Sequence, residues 1–225
     1  MLTTGRLGRK HFVLGKQVDM IEGHGVQTLI FPCLQCPCIM EEKQFSPLCQ
    51  GCHGTGRLYP PDQAFSTKLL MHHESSFRAY FEPGTWIDGS ILASVLPGVR
   101  LCERDRVIML DIKDVYNEET LTRGLQDRVR FSMGVELLMV LSLNIQTGGV
   151  QVYRQGFDYV LTPPNTVTWV DGGEAPAFAA QYACKYEAFP EFLVVNDSPR
   201  LRVEHRVPQS QEVVLLRLDK LSADV

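Results

Sequence analysis

Five of the chain's seven cysteines fall within one short stretch, CLQCPCIMEEKQFSPLCQGC, running from Cys33 to Cys52. The other two, Cys102 and Cys184, lie far from it and from each other. An odd total with five clustered suits a reduced metal site better than a disulfide framework. The spacing is Cys33-x2-Cys36-x12-Cys49-x2-Cys52, with Cys38 two residues past Cys36. A CxxC turn offers two thiolates to one ion with its backbone amides facing the sulfurs. Two such turns joined by a short loop complete the tetrahedron that zinc prefers. Gly51, Gly54 and Gly56 stand where tight turns call for positive φ, and Pro32, Pro37 and Pro47 stiffen the approaches. The expected cofactor is therefore structural Zn2+, held by four of Cys33, Cys36, Cys38, Cys49 and Cys52. Spacing leaves Cys33 and Cys38 as alternatives, because a Cys33–Cys36 CxxC pair and a Cys36-Pro37-Cys38 CxC pair both include Cys36. His53 adjoins Cys52 and is not expected to ligate. Four thiolates leave no open coordination position, so such a metal holds a fold together and does not activate water.

The rest of the chain divides around this knuckle. Residues 1–30 are expected to form a polar, glycine-bearing N-terminal arm, with one apolar strand at Val26–Phe31 and order gained against a neighbouring chain. Residues 31–60 are the cysteine knuckle, ended by Tyr59-Pro60-Pro61, and residues 61–225 are a β-rich assembly domain. Short β-branched or aromatic runs recur through it at 68–71, 76–81, 91–95, 106–112, 134–145, 149–153, 157–161, 166–170, 181–189, 193–196, 201–205 and 213–218, parted by Gly and Pro turn signals; for the apolar run 134–145 periodicity leaves helix open beside strand. In 181–189, Tyr182, Cys184, Tyr186 and Ala188 alternate onto one face. Asn117–Gln126 is the one modest helix candidate. The fold expected is mainly β, an antiparallel sandwich or barrel with an N-terminal arm and an inserted zinc knuckle.

The sequence holds no nucleophile elbow, phosphate loop or zinc-protease helix, and no enzymatic activity is expected. His72-His73-Glu74 is the best remaining acid–base cluster and reads as a solvated loop. Asp105, Asp111 and Asp114 are expected to point to water, as is a mixed face at Arg100, Arg104 and Arg106. Cys102 and Cys184 are expected to be small buried groups, and Trp86 and Trp169 core or interface anchors. A net charge of −4 gives no global attraction for nucleic acid; direct contact through a local basic patch is compatible with it but not indicated. No apolar run approaches the roughly 20 residues that span a bilayer, so no membrane partner is expected. The start lacks the apolar region of a secretory signal, which points to synthesis in the cytoplasm.

Two resemblances are carried by specific residues. CQGCHGTG (49–56) is similar to one copy of the CxxCxGxG pattern in DnaJ-type co-chaperones, but several copies and an HPD-bearing J domain are missing, so the likeness is one of knuckle geometry. The second runs from Gly156-Phe157-Asp158-Tyr159 through TVTWVDGGEAPAFAAQYACKYEA to Phe189. Together with PQSQEVVLLRLDK (208–220) and the early knuckle, it resembles β-rich virion proteins of tailed bacteriophages, above all those of the neck, connector and baseplate. This resemblance implies a head–tail joining subunit located in the virion, forming a homo-oligomeric ring and contacting portal, neck or tail components. The main rival is a zinc-ribbon/OB-like protein that binds single-stranded nucleic acid through Arg57, Tyr59 and the basic residues Arg6, Arg9, Lys10 and Lys16.

Overall fold

A computed structural model describes residues 14–38, 49–52, 55–72, 89–131, 133–143, 148–163, 165–196, 203–204, 207–208 and 210–220. Helix α1 (Leu14–His24) precedes β1 (Val26–Phe31), β2 (Leu34–Gln35), β3 (Arg57–Leu58), β4 (Phe65–Met71), β5 (Ser90–Val95) and β6 (Arg106–Met109). There follow β7 (Asp114–Thr122), β8 (Glu136–Leu143), β9 (Val150–Tyr153), β10 (Tyr159–Thr162), β11 (Thr166–Trp169) and β12 (Gln181–Ala188). The chain then runs through β13 (Glu191–Asn196), β14 (Val203–Glu204), β15 (Val207–Pro208) and β16 (Glu212–Arg217). The fold is mainly β and antiparallel. Six strands close a barrel in the order β1-β4-β5-β16-β13-β6. Closure removes the free edges that an open sheet must protect. The strands expected at 76–81 and the residues His73, Glu74 and Trp86 lie outside the described residues.

The chain forms two compact units, residues 1–106 with 193–225, and residues 107–192. In the first, Ile30, Leu69, Ala93, Val95, Val194, Val213 and Leu215 are fully buried. Part of the segment expected as an arm is ordered against its own chain. Helix α1 packs on β4, buries Ile21 completely, and receives a hydrogen bond from Lys68 Nζ at the Glu22 carbonyl, 2.6 Å. The Gly25 N–H caps the helix on the Ile21 carbonyl at 2.8 Å. A Cβ at Gly25 would stand 2.2 Å from that oxygen, so the close turn into β1 requires glycine.

The second unit is a four-stranded sheet, β7-β12-β8-β9, with the separate hairpin β10-β11. Tyr182, Cys184, Tyr186 and Ala188 of β12 all point inward and are buried. Tyr116, Phe131 and Tyr186 pack as one aromatic group, with Tyr116 at 4.1 Å from Phe131 and 5.5 Å from Tyr186 between ring centres. Trp169 is half-buried and meets the buried rings of Tyr153, Tyr159 and Tyr182 edge-on at 5.0, 6.0 and 5.2 Å. The expected helix at Asn117–Gln126 is instead the second half of β7 and the turn after it. Pairing along β12 and burial of Tyr116 and Leu121 outweigh the helical preference of a polar segment.

The Gly156–Gly173 signature serves the hairpin. Gly156 adopts φ 83°, and Asp158, buried, accepts hydrogen bonds from the Arg154 N–H at 2.7 Å and the Glu174 N–H at 3.0 Å. A Cβ at Gly173 would lie 2.6 Å from the Phe157 carbonyl oxygen and 2.9 Å from Asp158 Cα. One carboxylate and one missing side chain thus hold both ends of β10-β11 together.

Candidate metal centre

The cysteine segment is rooted on a two-stranded ribbon. Leu34 pairs with Leu58 and Gln35 with Arg57. Beyond β2 the Cys36 N–H donates to the Gly56 carbonyl at 2.9 Å, and Gly56 turns the chain into β3 with φ 69°. After the second CxxC, Thr55 donates twice to the Cys52 carbonyl, from its N–H at 3.0 Å and its hydroxyl at 2.6 Å. The ribbon therefore delivers Cys36 and Cys38 from one side and Cys49 and Cys52 from the other.

The sulfurs of Cys36, Cys38, Cys49 and Cys52 all lie within 4.8 Å of one another. Cys36 and Cys49 are 3.7 Å apart, and Cys38 and Cys52 3.4 Å. An ion bound at about 2.3 Å from each of four thiolates in a tetrahedron needs sulfur–sulfur edges of about 3.8 Å. The cage is close to that size and its donor set is chemically matched, so these four cysteines can bind a metal ion. Among the described residues no other group of three or more His, Cys, Asp or Glu side chains gathers in this way.

The cage is also electrostatically prepared. The Cys52 N–H, and then that of Gly51, face the Cys49 sulfur and hold its thiol down at about 6, so it is a thiolate at neutral pH. At Cys36 the Cys38 amide favours ionisation, but burial and the neighbouring Cys52 and Cys49 sulfurs outweigh it and the thiol is raised. Crowded sulfurs resist becoming four like charges until a cation sits among them.

Cys33 stands outside this group. It precedes β2, and the extended dipeptide Leu34–Gln35 carries the chain away from it before Cys36. Its N–H donates to Asp105 Oδ1 at 2.8 Å. The same carboxylate accepts the Cys102 N–H on Oδ2 at 2.7 Å, in a turn where Arg104 takes φ 72°. Tyr59 donates to the Arg104 carbonyl at 3.2 Å; burial first, and then the adjacent Cys33 thiol, push its hydroxyl up to about 12. Asp105 was expected to face water, yet it is 5% exposed because it ties the root of the knuckle to this turn. Nothing in its sequence neighbourhood marks that role. Cys102, expected to be buried, is exposed. Cys184 is buried as expected, and burial, followed by the nearby Glu119 and Asp127, pushes its thiol up to about 12. Asp111 and Arg100 are exposed, and His72 Nε2 bonds the Ser94 hydroxyl at 2.6 Å.

No protein-family model matches the chain, and no curated protein matches it.

Proposed function

We propose that the four-cysteine centre takes zinc as a structural ion, and that the protein is a non-enzymatic virion component of a tailed phage, a neck or connector subunit acting by assembly. The observation that carries this reading is the closed cage of Cys36, Cys38, Cys49 and Cys52. Four soft donors favour zinc, and a complete donor set leaves no position for substrate. Among the described residues, two carboxylates of the second unit are engaged in structure. Glu119 accepts from the Arg130 N–H and the Tyr186 hydroxyl, and Asp127 from the Gly124 N–H and the Tyr182 hydroxyl. The phage assignment rests on the resemblance over Gly156–Phe189 and on the knuckle.

Metal analysis of the purified protein and composition analysis of purified virions test the two halves of the reading. One zinc per chain, and the chain present at the head–tail junction, are expected. Zinc-free protein that folds normally overturns the first half, and absence from virions the second. A second reading, a zinc-ribbon/OB-like protein, draws on the presence of both a closed barrel and a thiolate knuckle in one chain, although this barrel has six strands where an OB-fold has five. Tight, salt-sensitive binding of single-stranded DNA would move that reading to the front.

A further inference from the structure

The four sulfurs of the cage are not equally open to solvent. Cys36 and Cys52 are buried, each 3% exposed, whereas Cys38 and Cys49 are half-buried. Two close approaches run from one side of the ribbon to the other, and each joins a buried sulfur to a half-buried one. Cys36 meets Cys49 at 3.7 Å, and Cys38 meets Cys52 at 3.4 Å. A disulfide bond measures about 2.05 Å, so the two pairs have about 1.7 and 1.4 Å left to close. Rotation about the Cα–Cβ bonds moves a sulfur that far.

We propose that the centre is a thiol–disulfide switch, in which a peroxide-class oxidant converts the metal-bound thiolates into the disulfides Cys36–Cys49 and Cys38–Cys52 and the ion leaves. In each pair the half-buried sulfur meets the oxidant. Its thiolate takes one oxygen of hydrogen peroxide to become a sulfenic acid, and the other oxygen departs as hydroxide. The buried partner thiolate then attacks that sulfur. The S–S bond forms as the S–O bond breaks, and a second hydroxide leaves. Each pair gives up two electrons to one peroxide, so the cage consumes two. A metal binds thiolates, and closure of both links removes all four donors. The links join positions 13 and 14 residues apart and interleave, so the segment that the ion held stays tied across the ribbon. Links within Cys36-Pro37-Cys38 and within Cys49–Cys52 would leave its two sides unconnected. The segment is thereby closed by the metal where thiols are kept reduced, and by sulfur where they are not. This inference rests on reading the centre as a zinc site.

Hydrogen peroxide treatment of the zinc-loaded full chain tests it. A chromophoric indicator follows metal release, and peptide mapping after free thiols are blocked locates the links. Complete loss of bound zinc is expected, with Cys36 joined to Cys49, Cys38 joined to Cys52, and Cys33 and Cys184 still thiols. Dithiothreitol followed by zinc should restore the metal-bound form. Cys33→Ser should release zinc and form the same links as wild type. Zinc that stays bound while the exposed Cys102 is oxidised overturns the switch. So do links between neighbouring cysteines, a link to Cys33, or sulfinic acids in place of disulfides. A chain that takes up no zinc yet forms these two links defeats the zinc reading alone and leaves the disulfide pairing standing.

Discussion

Serine at Cys38 and serine at Cys33 should have opposite consequences, and the difference can be estimated from the cage. A structural zinc site contributes about 10–16 kcal/mol near neutral pH, so an even share is about 2.5–4 kcal/mol per thiolate. Cys38→Ser replaces a sulfur 3.4 Å from that of Cys52 with an unionised hydroxyl, and metal affinity should fall by roughly 10^2 to 10^3. Cys33→Ser touches no donor of the cage. Its hydrogen bond to Asp105 comes from the backbone N–H and survives, so both affinity and stability should shift by no more than about 0.5 kcal/mol. Competition against a chromophoric chelator gives the affinities, and native mass spectrometry the stoichiometry. If Cys33→Ser lost metal while Cys38→Ser kept it, the cage as drawn would be refuted, and with it the argument from the β2–β3 ribbon.

Three further outcomes follow from the second unit. Gly173→Ala drives a Cβ to 2.6 Å from a backbone oxygen and 2.9 Å from a backbone carbon, and should cost about 1–3 kcal/mol in urea unfolding; a neutral result would mean that the hairpin yields freely. Tyr182→Phe leaves Asp127 without the hydroxyl that donates to it at 2.6 Å, and should cost about 1–3 kcal/mol in the same assay, with no loss expected if water replaces the donor. The Arg154 N–H, supported by the Glu174 N–H and the Arg154 guanidinium, holds the Asp158 carboxyl below its ordinary range against the opposing effect of burial. Its folded value is therefore below the unfolded value of about 3.9, so its stabilisation is complete above that pH and is lost as pH falls through the folded value. Asp158→Asn should flatten this part of the acid-unfolding curve, and an unchanged slope would contradict the assignment.

Most strands were legible because their signals are local. β12 announces itself by strict alternation of Tyr182, Cys184, Tyr186 and Ala188, and β4, β5 and β16 by β-branched and aliphatic runs between turn residues, whereas the run that forms β8 is equally open to helix because its bulge breaks the two-residue period. Barrel closure was not legible, since it depends on β1 lying in one sheet with strands more than sixty residues away. β7 was missed for a specific reason. Its register against β12 slips between Cys184 and Tyr186, so the inward positions change from Tyr116 to Glu119 and Leu121 and no two-residue alternation survives in the sequence. Helix α1 is hidden in the sequence because Gly15 and Gly23 weaken its local preference, whereas burial of Ile21 and packing on β4 supply what propensity does not.

The choice between Cys33 and Cys38 lies beyond any reading of spacing, because it is made by contacts remote in sequence. A CxxC pair can share an ion when its two intervening residues curl into a turn. Here Leu34 and Gln35 are drawn out as a strand by Leu58 and Arg57, and an extended residue advances the chain by about 3.3 Å. Cys33 is left at one end of that strand and Cys36 at the other. Asp105, 72 residues on, then fixes the Cys33 amide, so the residue is held at the root of the knuckle instead of its tip. Past the strand the Cys36 N–H still bonds the Gly56 carbonyl, but Pro37 has no N–H to continue the ladder, and the CxC pair turns toward Cys49 and Cys52. The same five cysteines on an unpaired loop would leave both solutions open; the ribbon and one buried carboxylate select between them.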